Sequence, residues 1–206
     1  MAGPTQEQIE HYVRTLDQLF HLPVCPGESL SWTVVRPHRA GLTVRDLVRR
    51  LHGDPDALTT RRPDDDGDYD FVDAVFLEDR GDVLVIVAFG TAAAEVEALR
   101  QLSRDATVHS VFWLINNHNR LYRLVDGVLI TELDVLDPLT RWGADPDALT
   151  DHLGALCDLA AQTTPGPDWE TAMATLESLT GQRLDAEWFA RPQLYAEANR
   201  VKTHGH

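Results

Sequence analysis

Seven residues whose side chains could bind a ligand or move a proton lie in or beside one predicted hairpin. They are His109, Trp113, Asn117, His118, Asn119, Arg120 and Arg123. Histidine and arginine bind anions, asparagine offers both a donor and an acceptor, and tryptophan supplies a large apolar surface. We expect His109 and Trp113 on one face of their strand, because alternate side chains share a face, and Arg123 on a neighbouring strand. The group therefore predicts a small polar pocket or a contact surface for a partner. In the alternative interpretation, Trp113 belongs to the core and the polar residues only shape the turn.

Familiar catalytic and metal-binding patterns are absent from the sequence. Of the nine histidines, only His204 and His206 have a metal-binding spacing. The two cysteines, Cys25 and Cys157, are far apart and are expected to be reduced thiols without a neighbouring base. The sequence contains no nucleophile elbow and no glycine-rich phosphate loop, and Ser110 lies in mid-strand. We therefore predict no cofactor, no metal and no assigned catalytic residue.

An acidic loop at residues 64–68 is the one stretch that invites a cation. Clustered carboxylates suit calcium, but aligning Gly67 with the glycine of an EF-hand loop puts Arg62 and Asp73 at ligand positions where they do not fit. The interpretation that we favour is a solvated acidic loop.

The hairpin belongs to a predicted three-stranded meander at residues 107–133. Asp126-Gly127 between apolar runs is a strong signal for a type I′ turn, in which both central residues have positive φ. The first turn, residues 116–119, contains asparagines and a histidine that tolerate left-handed backbone. These patterns predict antiparallel pairing of consecutive strands.

Helices are predicted before and within the sheet. Thr5 with Gln8, and Thr43 with Asp46, have the spacing of a capping box, and an apolar stripe follows each pair. Further strands are predicted at residues 30–36, 69–78 and 82–89, and a helix at 92–103. Residues 83–89 are apolar at every position, which indicates a strand that is covered on both faces.

The last third of the chain is predicted to be helical. Asp145-Pro146 has the pattern of a helix start, and helices are also expected from Asp168 to Gly181 and at residues 185–190. We expect the segment after Pro192 to add one more helical turn or to fray.

These elements together predict an α+β fold in which a largely antiparallel, curved sheet of five to six strands packs with helices. We expect a single domain over residues 1–206, with an N-terminal helix in 1–29, the sheet with two inserted helices in 30–136, and a helical part in 144–200.

The charge is strongly acidic, with 33 Asp and Glu against 18 Lys and Arg and a net charge of −15. An acidic surface repels phosphate backbones and anionic lipids, so we predict neither a nucleic-acid partner nor a membrane. A basic protein partner fits this charge, and a small-molecule ligand is not excluded. No signal peptide and no membrane span are recognised, which favours a cytoplasmic location.

Three segments carry a resemblance to a known family. They are GLTVRDLVRRLHG at 41–53, SVFWLINNHNRLYRLVDGVLITEL at 110–133 and LTGQRLDAEWF at 179–189. Their order and spacing resemble an uncharacterised family of actinobacterial proteins, known as a domain of unknown function, and a single lysine among 18 basic residues is typical of a GC-rich bacterial genome. The sequence departs from the family at residues 88–92. The family usually has a tryptophan-containing, glycine-rich segment there, whereas this sequence has Ala-Phe-Gly-Thr-Ala. The resemblance implies no catalytic residues.

Three functional hypotheses remain open from the sequence. The leading one is a non-catalytic, intracellular protein-interaction module that uses the hairpin edge or its aromatic cluster. The second is an enzyme or accessory factor of a small-molecule pathway, with His109, His118 and the arginines in a pocket near the first hairpin. The third is an acidic immunity or antitoxin-type protein that relies on the acidic residues 64–70.

Overall fold

The computed structural model describes residues 3–21, 29–65, 74–114, 116, 118–162, 164 and 166–198. Outside these residues lie Asn117, Cys25, His204 and His206, most of the acidic loop at 64–68, and the first part of the strand predicted at 69–78.

Strands and helices alternate irregularly along the described residues. The strands are β1 Ser29–Pro37, β2 Thr59–Arg61, β3 Ala74–Asp79, β4 Leu84–Ala88, β5 Ala106–Leu114, β6 Arg120–Val125, β7 Val128–Asp134, β8 Arg141–Trp142 and β9 Gln193–Glu197. The α-helices are α1 Gln6–Leu19, α2 Val44–Arg50, α3 Val96–Leu102, α4 Gly154–Ala160, α5 Asp168–Thr180 and α6 Ala186–Ala190, and short 3-10 helices occupy Pro55–Ala57 and Thr150–His152. No helix within the described ranges has the length and apolar character needed to cross a membrane.

All nine described strands join one open sheet in the order β2-β9-β3-β4-β1-β5-β6-β7-β8. Every neighbouring pair is antiparallel. The prediction of a mixed fold with an antiparallel sheet is confirmed, whereas the expected number of five to six strands is wrong. The additional strands are short ones, such as β2 and β8 at the sheet edges, which are too brief to leave a periodic pattern.

Both faces of the sheet are covered by helices. The first face carries Trp32, Val85 and Trp113 and packs against α1, α4, α5 and α6. The second face carries Ile86 and Val108 and packs against α2 and α3. β4 is buried at every residue, as its uninterrupted apolar sequence predicts, because neighbouring side chains enter opposite cores.

Turns and caps follow the local sequence closely. In the predicted type I′ turn, Asp126 has φ 50° and Gly127 has φ 80°. Thr5 with Gln8 and Thr43 with Asp46 form the two predicted capping boxes. The three-stranded meander is confirmed as β5, β6 and β7 in consecutive order.

The C-terminal third differs from its prediction in two places. Residues after Pro192 form β9, which lies between β2 and β3, rather than a further helical turn. Asp145-Pro146 does not begin an α-helix, because the chain makes turns up to Thr150–His152 and α4 starts at Gly154. Tyr195 and Ala196 enter opposite cores, as neighbouring strand residues do, but a strand of five residues gives only a weak alternating pattern in the sequence.

The helix predicted at 92–103 is shorter in the structure, since α3 begins at Val96.

Candidate functional site

The sheet divides the predicted site residues between its two faces. Trp113 and Leu121 enter the first core, whereas Tyr122 and Leu124 enter the second. Alternation then places His109, Trp113 and Arg123 on the first face, and His118 and Arg120 with the residues of the second face. The six of these residues that the structure describes therefore do not line one common cavity.

Trp113 is a core residue. Only 1% of its surface is exposed, and its ring stacks on Trp169 of α5 with centroids 5.3 Å apart and planes inclined by 11°. Asn119 is also buried, and neither atom of its side-chain amide has a hydrogen-bond partner among the described residues. Its backbone oxygen accepts a hydrogen bond from the Val135 N–H at 3.1 Å.

The second face is open beyond the N-terminal end of α3. Six residues from four adjacent strands lie here, and we name them the meander face: Phe112, Arg120, Tyr122, Glu132, Asp134 and Trp142. Phe112 and Tyr122 are buried, with 4% and 3% of their surfaces exposed. Cross-strand pairs set their positions, since Tyr122 lies opposite Glu132 and Glu132 lies opposite Trp142. The antiparallel register thus gathers aromatic and charged side chains from distant parts of the meander.

A cavity of about 550 Å³ lies between the meander face and α3. Its lining residues are Thr91, Ala94, Glu95, Val96, Phe112, Leu114, Asn116, His118, Tyr122 and Glu132. The rings of Phe112 and His118 meet edge to face with centroids 5.9 Å apart. The Oδ1 atom of Asn116 accepts a hydrogen bond from the His118 N–H, so the predicted turn positions a wall of the cavity.

The charges of the meander face are partly compensated. The Arg120 guanidinium lies 3.4 Å from Glu132 and 2.7 Å from Asp134, and it faces the Trp142 ring at 5.8 Å from the centroid. One arginine opposes these two carboxylates and Glu95, which leaves an excess of negative charge around the cavity. Burial and the charge of Glu132 raise the pKa of Tyr122 above its ordinary value, against the opposing effect of Arg120, so the phenol remains protonated.

A second polar group lies on the first face. His109 and Arg123 are direct cross-strand partners, and the field of His152 also acts on His109. We name these three residues the His109 cluster. Burial, followed by the positive charges of Arg123, His152 and Arg36, lowers the pKa of His109 to about 4. The imidazole of His109 is therefore neutral at physiological pH.

Residues 24–198 match a family of unknown function (DUF6461). The chain belongs to this family. The match confirms the resemblance to a domain of unknown function, while the actinobacterial origin and the particular motifs stay predictions. Comparison with curated proteins and with solved structures finds no match. The meander face and the His109 cluster of this DUF6461 chain both lie within the matched residues.

Several residues of these sites were missed by sequence reasoning. Glu95, Phe112, Tyr122 and Glu132 line the cavity, and alternation along the meander could have identified the last three as neighbours on one face. Trp142 carries no such signal, because a strand of two residues has no detectable period. The charge of His152 acts on His109, although no sequence pattern connects these two distant residues.

The chemistry available in the cavity suits binding. Its described lining combines aromatic rings, carboxylates, an imidazole, an amide and the hydroxyl of Thr91. Among the residues that the structure describes, no group of three or more His, Cys, Asp or Glu could hold a metal ion. Aromatic faces beside carboxylates suit a cationic group that has an apolar stem.

Proposed function

We propose that this DUF6461 protein is a non-catalytic binding module that engages a basic segment of a protein partner on the meander face. The observation that carries the proposal is the cavity between α3 and the sheet, where Phe112 and Tyr122 lie beside Glu95 and Glu132. An arginine or lysine side chain would place its apolar stem against the rings and its charge near the carboxylates.

Exposed apolar side chains in and beside the edge strand β8 support a macromolecular partner. Trp142 is 45% exposed at the sheet edge, and Leu139, in the connection from β7 to β8, is 76% exposed. Tryptophan is enriched among the residues that dominate binding energy at protein interfaces. Among the described residues, the two-residue strand β8 is the last strand on this side of the sheet, and an edge strand of this kind can pair with an added strand.

The overall charge supports a basic partner. The chain carries a net charge of −15, and an acidic field accelerates the encounter with a positively charged protein. Arg120 would hold Glu132 and Asp134 in position while Glu95 remains available to the partner. We also propose a bacterial and cytoplasmic setting, which the arginine-rich composition and the free thiol of Cys157 support.

The test compares variants of the meander face with matched variants elsewhere. Proteins captured from a bacterial lysate that expresses a DUF6461 chain are identified, and the dissociation constant of each purified candidate is measured. Both Trp142→Ala and Glu132→Gln should weaken the binding of a true partner. For Trp142→Ala we expect a dissociation constant that is about thirtyfold higher or more. Two variants serve as controls: Glu10→Gln in α1, and Phe20→Ala directly after it, which removes an aromatic side chain that is 42% exposed.

A partner that binds the Trp142→Ala and Glu132→Gln variants as tightly as the wild type would contradict the proposal. A captured protein counts in its favour only if it is basic and the controls retain its affinity.

A small-molecule ligand in the same cavity is the second candidate function. The cavity volume of about 550 Å³ supports it, since ligand pockets usually span roughly 300–1,000 Å³. A metabolite screen by thermal unfolding separates the two: strong stabilisation that is lost in Tyr122→Phe or Glu132→Gln favours the small molecule over the protein partner.

A further inference from the structure

We infer that His109, Arg123 and His152 form a binding site for a small oxyanion on the first face of the sheet. The ligand class is a phosphate, sulfate or carboxylate group, free or as part of a metabolite. This site lies on the face opposite the meander face, so it is independent of the proposed partner binding.

The backbone brings the cationic groups together. His109 on β5 and Arg123 on β6 are direct partners in the antiparallel register, so their side chains lie side by side on one face. His152 ends the 3-10 helix Thr150–His152 above them, and its Nδ1 lies 3.4 Å from the Ser178 Oγ of α5. Two histidines, a guanidinium and a hydroxyl from four elements thus lie in one region of the protein, where the charge of His152 acts on His109 and that of Arg123 acts on His152.

Arg123 is a partly buried arginine that has no acceptor among the described residues. In the described residues, eight arginines form ion pairs with carboxylates: Arg36, Arg45, Arg49, Arg62, Arg80, Arg120, Arg141 and Arg183. Within the same residues Arg123 forms no ion pair and no hydrogen bond, although its Nε atom is buried. Seven other described arginines form no ion pair either, but six of them are exposed, and Arg50 donates to the backbone carbonyls of Leu102 and Arg104. Arg123 differs in being partly buried without an acceptor among the described residues.

The neighbouring groups do not compensate the charge of Arg123. Arg36 on β1 adds positive charge, although Asp82 and the Thr180 carbonyl at the end of α5 already bind it. Asp151 acts on His152, and the Thr131 hydroxyl donates to the Asp145 carbonyl. A partly buried cation without an acceptor is costly, and an oxyanion would supply the acceptor that the chain does not.

The site is accessible from solvent. His109, Arg123 and His152 are each partly rather than fully buried, so all three residues retain some contact with solvent. His109 in its neutral state can donate one N–H, and a bound anion would reverse the unfavourable field of Arg123 and Arg36. Anion binding should therefore raise the pKa of His109 from about 4 and favour its protonated form.

The experiment follows the ring resonances of His109 and His152 by NMR in the full chain during titration with inorganic phosphate at neutral pH. Sodium chloride of matched ionic strength is the control, and sulfate and acetate arms compare tetrahedral with planar anions. We expect saturable shifts of both rings with phosphate. In Arg123→Gln we expect at least about tenfold weaker binding, whereas Arg39→Gln, at an exposed arginine near the second-face helix α2, keeps the wild-type affinity.

Thermal unfolding supplies a second readout that does not depend on resonance assignment. Phosphate should raise the Tm of the wild type and of Arg39→Gln but not that of Arg123→Gln. Shifts that are equal in chloride, or phosphate binding that survives Arg123→Gln unchanged, would overturn the site. A preference for acetate over phosphate would assign it to carboxylates and retain it.

Discussion

Trp113 of β5 and Trp169 of α5 stack nearly parallel, with ring centroids 5.3 Å apart, and this contact fastens the helical layer to the first face of the sheet. The tryptophan that the sequence suggested as a pocket residue is therefore part of the core. The sequence left both a pocket and a core position open for Trp113. Alternation shows which residues of a strand share a face, but it does not show what covers that face.

Replacing Trp113 by alanine should destabilise the protein by about 3–5 kcal/mol, because it removes a buried aromatic side chain and its stacking contact with Trp169. Trp142→Ala, at a tryptophan that is 45% exposed, should cost less than about 0.5 kcal/mol. Urea unfolding of the two variants measures the difference. Equal losses would mean that the stack contributes no more than a surface contact.

The Tyr12 hydroxyl joins α1 to α5 by donating to Glu177 Oε2 at 2.7 Å, and it accepts the Leu184 N–H at 3.4 Å. Tyr12→Phe should cost about 1.5–3 kcal/mol, since it leaves a charged acceptor short of a buried donor. Tyr122→Phe is the matched control, because the Tyr122 hydroxyl has no hydrogen-bond partner among the described residues. We expect a loss of less than about 0.5 kcal/mol there. A Tyr12→Phe protein as stable as this control would contradict the prediction.

Glu177 should make stability depend on pH in the acid range. Burial opposes its ionisation, but hydrogen bonds from Arg183, Gln8 and Tyr12 outweigh burial and hold its pKa below the ordinary 4.5. The stabilisation is complete above pH 4.5 and is lost as the pH falls through the lowered pKa of the folded state. As the pH falls below 4.5, the free energy of unfolding should decrease less steeply in Glu177→Gln than in the wild type. An identical slope in the two proteins would exclude the carboxylate as the cause.

His109 should act in a higher pH window. Burial and the charge of Arg123 lower its pKa from 6.5 to about 4 in the folded state, so the unfolded chain binds the proton more readily. Stability should therefore decrease as the pH falls from 6.5 towards 4, and His109→Gln should reduce that decrease. Denaturant titrations across this range, in buffers without oxyanions, provide the measurement. A decrease as large in His109→Gln as in the wild type would show that other groups cause it.

The type I′ turn between β6 and β7 should require glycine at residue 127. Gly127 has φ 80°, a region that costs a residue with a Cβ atom about 1–2 kcal/mol. Gly127→Ala should therefore destabilise the protein by roughly that amount. Gly154→Ala is the matched control, because a Cβ there meets no atom within 4 Å at the start of α4, and it should stabilise by about 0.4–1 kcal/mol. Thermal unfolding distinguishes the opposite signs, and a Gly127→Ala protein as stable as wild type would contradict the turn assignment.

The amino-acid sequence by itself determined the features that depend on neighbours along the chain. The turn at Asp126-Gly127, the capping boxes at Thr5 and Thr43, and the two-sided burial of β4 all follow from local backbone preferences and periodicity. The mixed, antiparallel character of the fold follows from the same signals.

Only the tertiary structure decided which distant residues meet. Long-range pairing brings β9 between β2 and β3 and places Trp142 opposite Glu132, and the packing of layers brings His152 near enough for its charge to act on His109. His118 and Arg123 are only five positions apart in the sequence, but they lie on opposite faces of the sheet. The reason is that alternate strand residues enter opposite layers. These contacts depend on the register of strands and the packing of layers, which no local period specifies.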